Sequence, residues 1–181
     1  MTSPKAVCVF CGASNDVSPT YLAAGSDFGK KLAEKNITLV YGGGDCGMMG
    51  AVANAVLKAK GQAVGVFPLS LKDLESEHQA LTEIIIVGGM HERNQKMFDR
   101  SDVIVVLPGG FGTLDEMFEI LTWKQLKFHN KPVIIFNHEG YWDPLVALMD
   151  SIIQHRFAKP EVGTYYKVVN TVDEIFKAME G

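Results

Sequence analysis

The 181-residue sequence predicts a single doubly wound α/β domain, a parallel sheet carrying helices on both faces. Three observations predict it. Short β-branched runs alternate with amphipathic stretches from one end of the chain to the other. Several of those runs are apolar at consecutive positions, which suits strands covered on both faces. No linker, composition shift or internal repeat breaks the rhythm, and a chain of this size buries roughly 70% of its unfolded surface, enough for one core. Apolar residues make up 47% and charged residues 21%, a balance that excludes a disordered chain.

Taken in order, Ala6 to Phe10 reads as the first strand, a short apolar run, and Thr20 to Lys35 as the amphipathic helix after it. Thr38 to Tyr41, Met48 to Lys60 and Gln62 to Phe67 repeat the strand, helix, strand pattern. The polar segment Leu69 to Ala80 follows, with Glu75 and His78 reading as surface loop residues by composition. Glu83 to Val87 is the next strand, Met90 to Arg100 a helix and Val103 to Leu107 a strand. Thr113 to Lys127 is a helix with Leu114, Met117, Phe118 and Leu121 on one face. Val133 to Phe136, Asp143 to His155, Lys167 to Val169 and Val172 to Met179 complete the alternation across a domain of residues 1–181.

Seventeen Lys and Arg against twenty-one Asp and Glu give a net charge of −4 without a long basic run, which argues against a nucleic-acid surface and leaves room for a small anionic ligand. No apolar stretch reaches the ~18 residues that span a bilayer, and residues 1–6 lack the apolar core of a signal peptide, so no membrane partner and a cytoplasmic location are expected. The cysteines number three, an odd count that fits a reducing compartment. Cys8 and Cys11 spell C-x-x-C, but on a strand positions i and i+3 face opposite ways, so core packing is expected of both.

Eighteen glycines are about 10% of the chain against ~7% in an average protein. Eight of them fall in two runs, residues 42–50 and 109–112, each leaving a strand and opening a helix. In the first, Gly42, Gly44 and Gly47 satisfy G-x-G-x-x-G literally. A dinucleotide site would place this motif after the first strand and an acid at the end of the next; here it follows the second, and Val66-Phe67-Pro68 offers no acid. The preferred reading is a tight, close-packed turn, with Gly43 and Gly44 walling one side of a nucleotide pocket. In the second run, Gly109, Gly110, Phe111 and Gly112 precede Thr113, Leu114, Asp115 and Glu116. Glycines before a helix start leave backbone N–H groups free to converge on one anion, and the helix dipole favours it, so a phosphate is the expected guest. The Lys of a nucleotide-triphosphate P-loop is absent.

Thr113 and Glu116 are also spaced as a capping box, a purely structural alternative. Against it, Asp115, Glu116 and Glu119 crowd carboxylates around an expected phosphate, which suggests that at least one serves chemistry at a sugar. Met90, Arg93, Asn94 and Met97 occupy the positions that form a buried helical stripe. An unpaired buried guanidinium costs several kcal/mol, so Arg93 requires a carboxylate or an anion. The histidines His91, His129, His138 and His155 show no metal-ligand spacing, so no metal is expected. Phe111, Trp123 and Trp142 either stack on a base or pack in the core.

Met90-His91-Glu92-Arg93 followed by Pro108-Gly109-Gly110-x-Gly112-Thr113-x-x-Glu116 resembles the LONELY GUY family, the cytokinin riboside 5′-monophosphate phosphoribohydrolases, whose bacterial members often carry the label lysine decarboxylase. Agreement extends to Cys8-Val9-Phe10-Cys11-Gly12-Ala13-Ser14, Tyr41-Gly42-Gly43-Gly44 with Gly47, Met49 and Gly50, Thr122-Trp123 with Gln125-Leu126, Lys131-Pro132 and Gly140-Tyr141. The resemblance implies a Rossmann-like fold, a homodimer, and hydrolysis of a nucleoside 5′-monophosphate to free base and ribose 5-phosphate without a cofactor. It carries the catalytic pair onto Arg93 and Glu116, the phosphate-binding stretch onto Gly110 to Glu116, and substrate contacts onto Glu75 and Thr122. Glu119 is a second polar wall or surface. Asn94 stands where many members have Lys, which removes a cation from the expected substrate site, and Lys127 stands where Gly is common. Two other readings stay open: a non-catalytic nucleotide or molybdenum-cofactor carrier on the same fold, and a decarboxylase, which usually needs pyridoxal phosphate on a lysine that nothing in the sequence singles out.

Overall fold

The computed structural model describes residues 4–71 and 77–180. Among these, strands β1 (Ala6–Phe10), β2 (Thr38–Tyr41), β3 (Ala63–Pro68), β4 (Glu83–Val87), β5 (Val103–Val106), β6 (Val133–Phe136) and β7 (Lys167–Val169) form one sheet in the order β4-β3-β2-β1-β5-β6-β7. All six pairings are parallel. The helices are α1 (Pro19–Glu34), α2 (Gly47–Lys58), α3 (Met90–Asp99), α4 (Phe111–Gln125), α5 (Asp143–Gln154) and α6 (Val172–Glu180). The chain winds outward from β1 to β4, then returns to place β5 on the other side of β1. That reversal makes the carboxyl ends of β1 and β5 the switch point where such sheets bind ligands.

Alternation along the strands sorts the core into two layers. Val7, Val9 and Cys11 face α1, α2 and α6, whereas Cys8 and Phe10 face α3, α4 and α5. The two cysteines therefore lie in different cores, and burial pushes both thiols well above their ordinary pKa. Cover on both faces holds for the central strands. At the edge, β4 leaves Ile84 and Ile86 exposed, because the chain ends its outward winding there.

The helix starts differ in how their free N–H groups are satisfied. At α1 the Ser18 hydroxyl accepts the Thr20 N–H and Pro19 takes the first turn, where no donor is needed. A capping box forms at α6: the Thr171 hydroxyl accepts the Glu174 N–H, and the Glu174 carboxylate accepts the N–H groups of Asn170 and Thr171. The box that spacing offers at Thr113 and Glu116 does not form. Gly110 is the N-cap, α4 begins at Phe111, two residues earlier than periodicity suggests, and no side chain caps it. The early start buries Thr113 against Gly109, where a Cβ would lie 2.7 Å from Thr113 Cβ and 2.8 Å from Gly12 N. Phe118, placed by periodicity on the buried stripe, is partly exposed, while Met117, Ile120 and Leu121 fill the core.

Candidate active site

The loops after β1 and β5 meet at the switch point. Gly12 N–H donates to Pro108 O at 3.1 Å, and a Cβ at Gly12 would press to 3.1 Å on Gly109 Cα. From this contact α4 runs outward. Its first internal bond is Leu114 N–H to Gly110 O at 3.1 Å, so the N–H groups of the three preceding residues have no partner within the helix. A Cβ built on Gly110 or Gly112 would meet nothing within 4 Å. The helix start is thus uncapped and open, and its dipole favours an anion there. Beside it, an apolar recess of about 280 Å³ is lined by Val17, Tyr21 and Tyr141. The Tyr141 hydroxyl donates to Gly109 O at 2.6 Å. Phe111 is 92% exposed, so core packing does not hold its ring.

The first glycine run behaves differently. At α2 the Gly47 N–H donates to Asn15 Oδ1 at 2.8 Å and the Met49 N–H to Gly12 O at 3.3 Å, so this helix start is occupied by the protein itself. Gly43 has φ 81°, Gly43 O accepts the His78 N–H, and Gly44 O accepts the Tyr41 hydroxyl. These features are those of the close-packed turn, not of a phosphate cradle. His78 is a correction to its reading as a surface loop residue. It is buried, its Nδ1 accepting the Ala80 N–H and its Nε2 donating to Asn54 Oδ1 at 3.2 Å. Glu75 lies outside the described residues.

Arg93, on the first turn of α3, and Glu116, on the second turn of α4, meet across the helix pair with Nη1 3.4 Å from Oε1. Their side chains are 5% and 4% exposed. The demand that a buried guanidinium find a carboxylate is met by the residue that the capping box would have used otherwise. Met90 is 36% exposed rather than buried, but its Sδ lies 3.7 Å from Arg93 Nη1 and closes that side. One position further along α3, Asn94 Nδ2 donates to Glu119 Oε2 at 2.7 Å, and His91 Nδ1 lies 3.7 Å from Glu119 Oε1. Two acid partners thus join α3 to α4, and no sequence signal pairs Asn94 with Glu119 because the helices are distant in the chain. Of the remaining candidates, Leu114 is half-buried and Asp115 is exposed. Thr122 is on another face of α4, its hydroxyl donating to Phe118 O at 2.7 Å, in a groove with Phe118, Met149 and Phe157 rather than beside Glu116.

The family described as possible lysine decarboxylase matches residues 49–179. The chain is 39% identical over 176 residues to the probable cytokinin riboside 5'-monophosphate phosphoribohydrolase LOGL5 of Oryza sativa subsp. japonica, covering 97% of this chain and 72% of that protein. It is 38% identical to the cytokinin riboside 5'-monophosphate phosphoribohydrolase LOG5 of Arabidopsis thaliana, over 97% of this chain and 77% of that protein. This chain belongs to the LONELY GUY family. Solved structures similar to this LONELY GUY protein include the molybdenum cofactor binding protein from Rippkaea orientalis, with TM-score 0.74, 22% identity and coverage of 99% of this chain and 97% of that one. The molybdenum cofactor carrier protein from Chlamydomonas reinhardtii gives TM-score 0.73 at 20% identity, covering 97% and 95%. At such identities the likeness establishes a shared fold.

Within the LONELY GUY frame the decarboxylase description can be tested on the lysines. Burial lowers the pKa of Lys124 and Lys131. Their Nζ groups donate to Lys131 O and Phe98 O, which belong to the segments leading into β6 and β5 at the amino edge of the sheet. Both therefore act as structural donors at the end opposite the open helix start.

Proposed function

We propose that this chain hydrolyses the N-glycosidic bond of nucleoside 5′-monophosphates, adenylate or its N6-modified cytokinin forms, to free base and ribose 5-phosphate. The observation that carries the reading is a buried Arg93–Glu116 pair at 3.4 Å on helices that converge near an uncapped, open helix start. The names of the curated relatives support it. In this reading the N–H groups at the start of α4, with Gly109 to Thr113, hold the 5′-phosphate. Breaking the bond between C1′ and the base nitrogen leaves positive charge on the sugar, which the Glu116 carboxylate stabilises while orienting water toward C1′. Water adds to C1′, its proton is released, and the electron pair of the broken bond leaves with the base, which takes up a proton. Arg93 pairs with Glu116 and offsets negative charge on the departing base. Acid and base action supplies roughly 10²–10⁴-fold, short of the 10⁶-fold or more typical of enzymes, so positioning through the phosphate supplies much of the rest.

The protein is proposed to act in the cytoplasm as a homodimer, without a cofactor and with Glu75, Asn94 and Glu119 bordering the substrate; Thr122, on another face of α4, is left out of that border. A carrier on the same fold would need the phosphate site but not a buried carboxylate opposed to an arginine. The test is a panel of nucleoside 5′-monophosphates scored for free base. Adenylate or an N6-prenylated relative is expected to release base, and adenosine, lacking the phosphate, to lose kcat as well as affinity. Glu116→Gln, which keeps an acceptor for Arg93, is expected to stay folded and lose about 10³-fold or more in kcat. Equal turnover of adenosine and its monophosphate, or full activity in Glu116→Gln, would remove the reading.

A further inference from the structure

We propose that Gly42 is a positioning residue for Arg93, its missing side chain being the space in which the guanidinium rests; the inference builds on the catalytic role proposed for Arg93. Gly42 follows β2 and is buried. A Cβ there would overlap Arg93 Nη2 and lie 2.8 Å from Cζ, with Met49 Cε at 3.2 Å as the next contact. Three other glycines of the run have different reasons to be glycine. Gly43 and Gly47 carry φ of 81° and 56°, where any side chain is strained, and a Cβ at Gly50 would strike the Asp45 backbone. Gly42 has no positive φ, so alanine is conformationally allowed there and the obstacle is the tip of one side chain.

The guanidinium is enclosed on several sides. Nη2 faces Gly42, Nη1 faces Glu116 Oε1 at 3.4 Å, and Met90 Sδ lies 3.7 Å from Nη1. With 5% of the side chain exposed, the head has little room in which to yield. A methyl group at position 42 therefore moves the guanidinium relative to Glu116 and leaves the strand in place. Misplacement of a catalytic group by about 1 Å costs on the order of 10²-fold in rate.

The experiment is a double-mutant cycle of Gly42→Ala and Arg93→Ala, reading kcat, KM and thermal midpoint on the intact chain. Gly42→Ala alone is expected to lower kcat about 10²-fold with KM changed much less, and to lower the midpoint. In the Arg93→Ala background, where the space is vacated, Gly42→Ala is expected to change neither kcat nor the midpoint. Retention of kcat in Gly42→Ala, or the same loss in both backgrounds, overturns the proposal. Wild-type turnover in Arg93→Ala would instead overturn the catalytic role of Arg93, and the midpoint half of the cycle then decides on the seat by itself. If Arg93→Ala does not fold, Arg93→Leu, which keeps the apolar stem without the charged tip, replaces it.

Discussion

Lys127 shows how one residue carries information that its neighbours do not. It follows the end of α4 with φ 64°, the left-handed conformation that costs a side-chain-bearing residue about 1–2 kcal/mol. Glycine alone adopts that conformation without a steric penalty. Lys127→Gly is expected to stabilise the protein by about 0.5–1 kcal/mol after the entropy of the freer unfolded chain is deducted, a rise of roughly 1–4 °C in thermal midpoint. An unchanged or lower midpoint would show that the lysine side chain contributes more than its backbone costs. Arg93 was legible as a residue needing an acid, because burial follows from helical spacing and an unpaired cation cannot be buried. Which acid it meets was not legible, since Asp115, Glu116 and Glu119 stand within five positions and only the path of α4 selects among them.

At the scale of elements, the segment between α4 and β6 has its own titrating group. His129 is buried, its Nε2 donating to Ile120 O at 2.9 Å and its Nδ1 accepting the Lys131 N–H at 3.1 Å, with the ring edge-on to Phe98. That pattern requires the neutral ring. Burial, aided by Lys124 and Lys131 and opposed by the Ile120 carbonyl, holds its pKa below the ordinary 6.5. The unfolded chain then binds the proton more readily, so stability is full above about pH 6.5 and declines as pH falls toward the folded-state pKa. Melting curves between pH 7.5 and 5 should show that decline, and His129→Gln should flatten it; a slope unchanged by the substitution would assign it to other groups. The helix starts give a parallel lesson. Thr113-x-x-Glu116 and Thr171-x-x-Glu174 share one spacing, yet only the second forms the box, because Gly109 lets Thr113 turn inward and Arg93 draws Glu116 across to α3.

For the whole molecule, the face formed by α4 and α5 is unusual in being apolar and open. Phe118 and Phe157, the latter 87% exposed, border a groove of about 210 Å³ with Met149, Ile152 and Thr122. Exposed apolar patches of this kind mark association surfaces. Light scattering is expected to give twice the chain mass, and Phe157→Glu to give a single-chain mass; a monomeric wild type would remove the homodimer from the proposal. The sequence by itself determined the alternation of strands and helices, the two-sided core and the location of both glycine runs. These are properties of local spacing, since period 2 and period 3.6 can be read within one element. The tertiary structure decided that one glycine-led helix start is filled by Asn15 and Gly12 while the other is open, and that Arg93, Gly42 and Glu116 meet. Those are pairings between segments dozens of residues apart, fixed by strand order and helix path, and no local period encodes them.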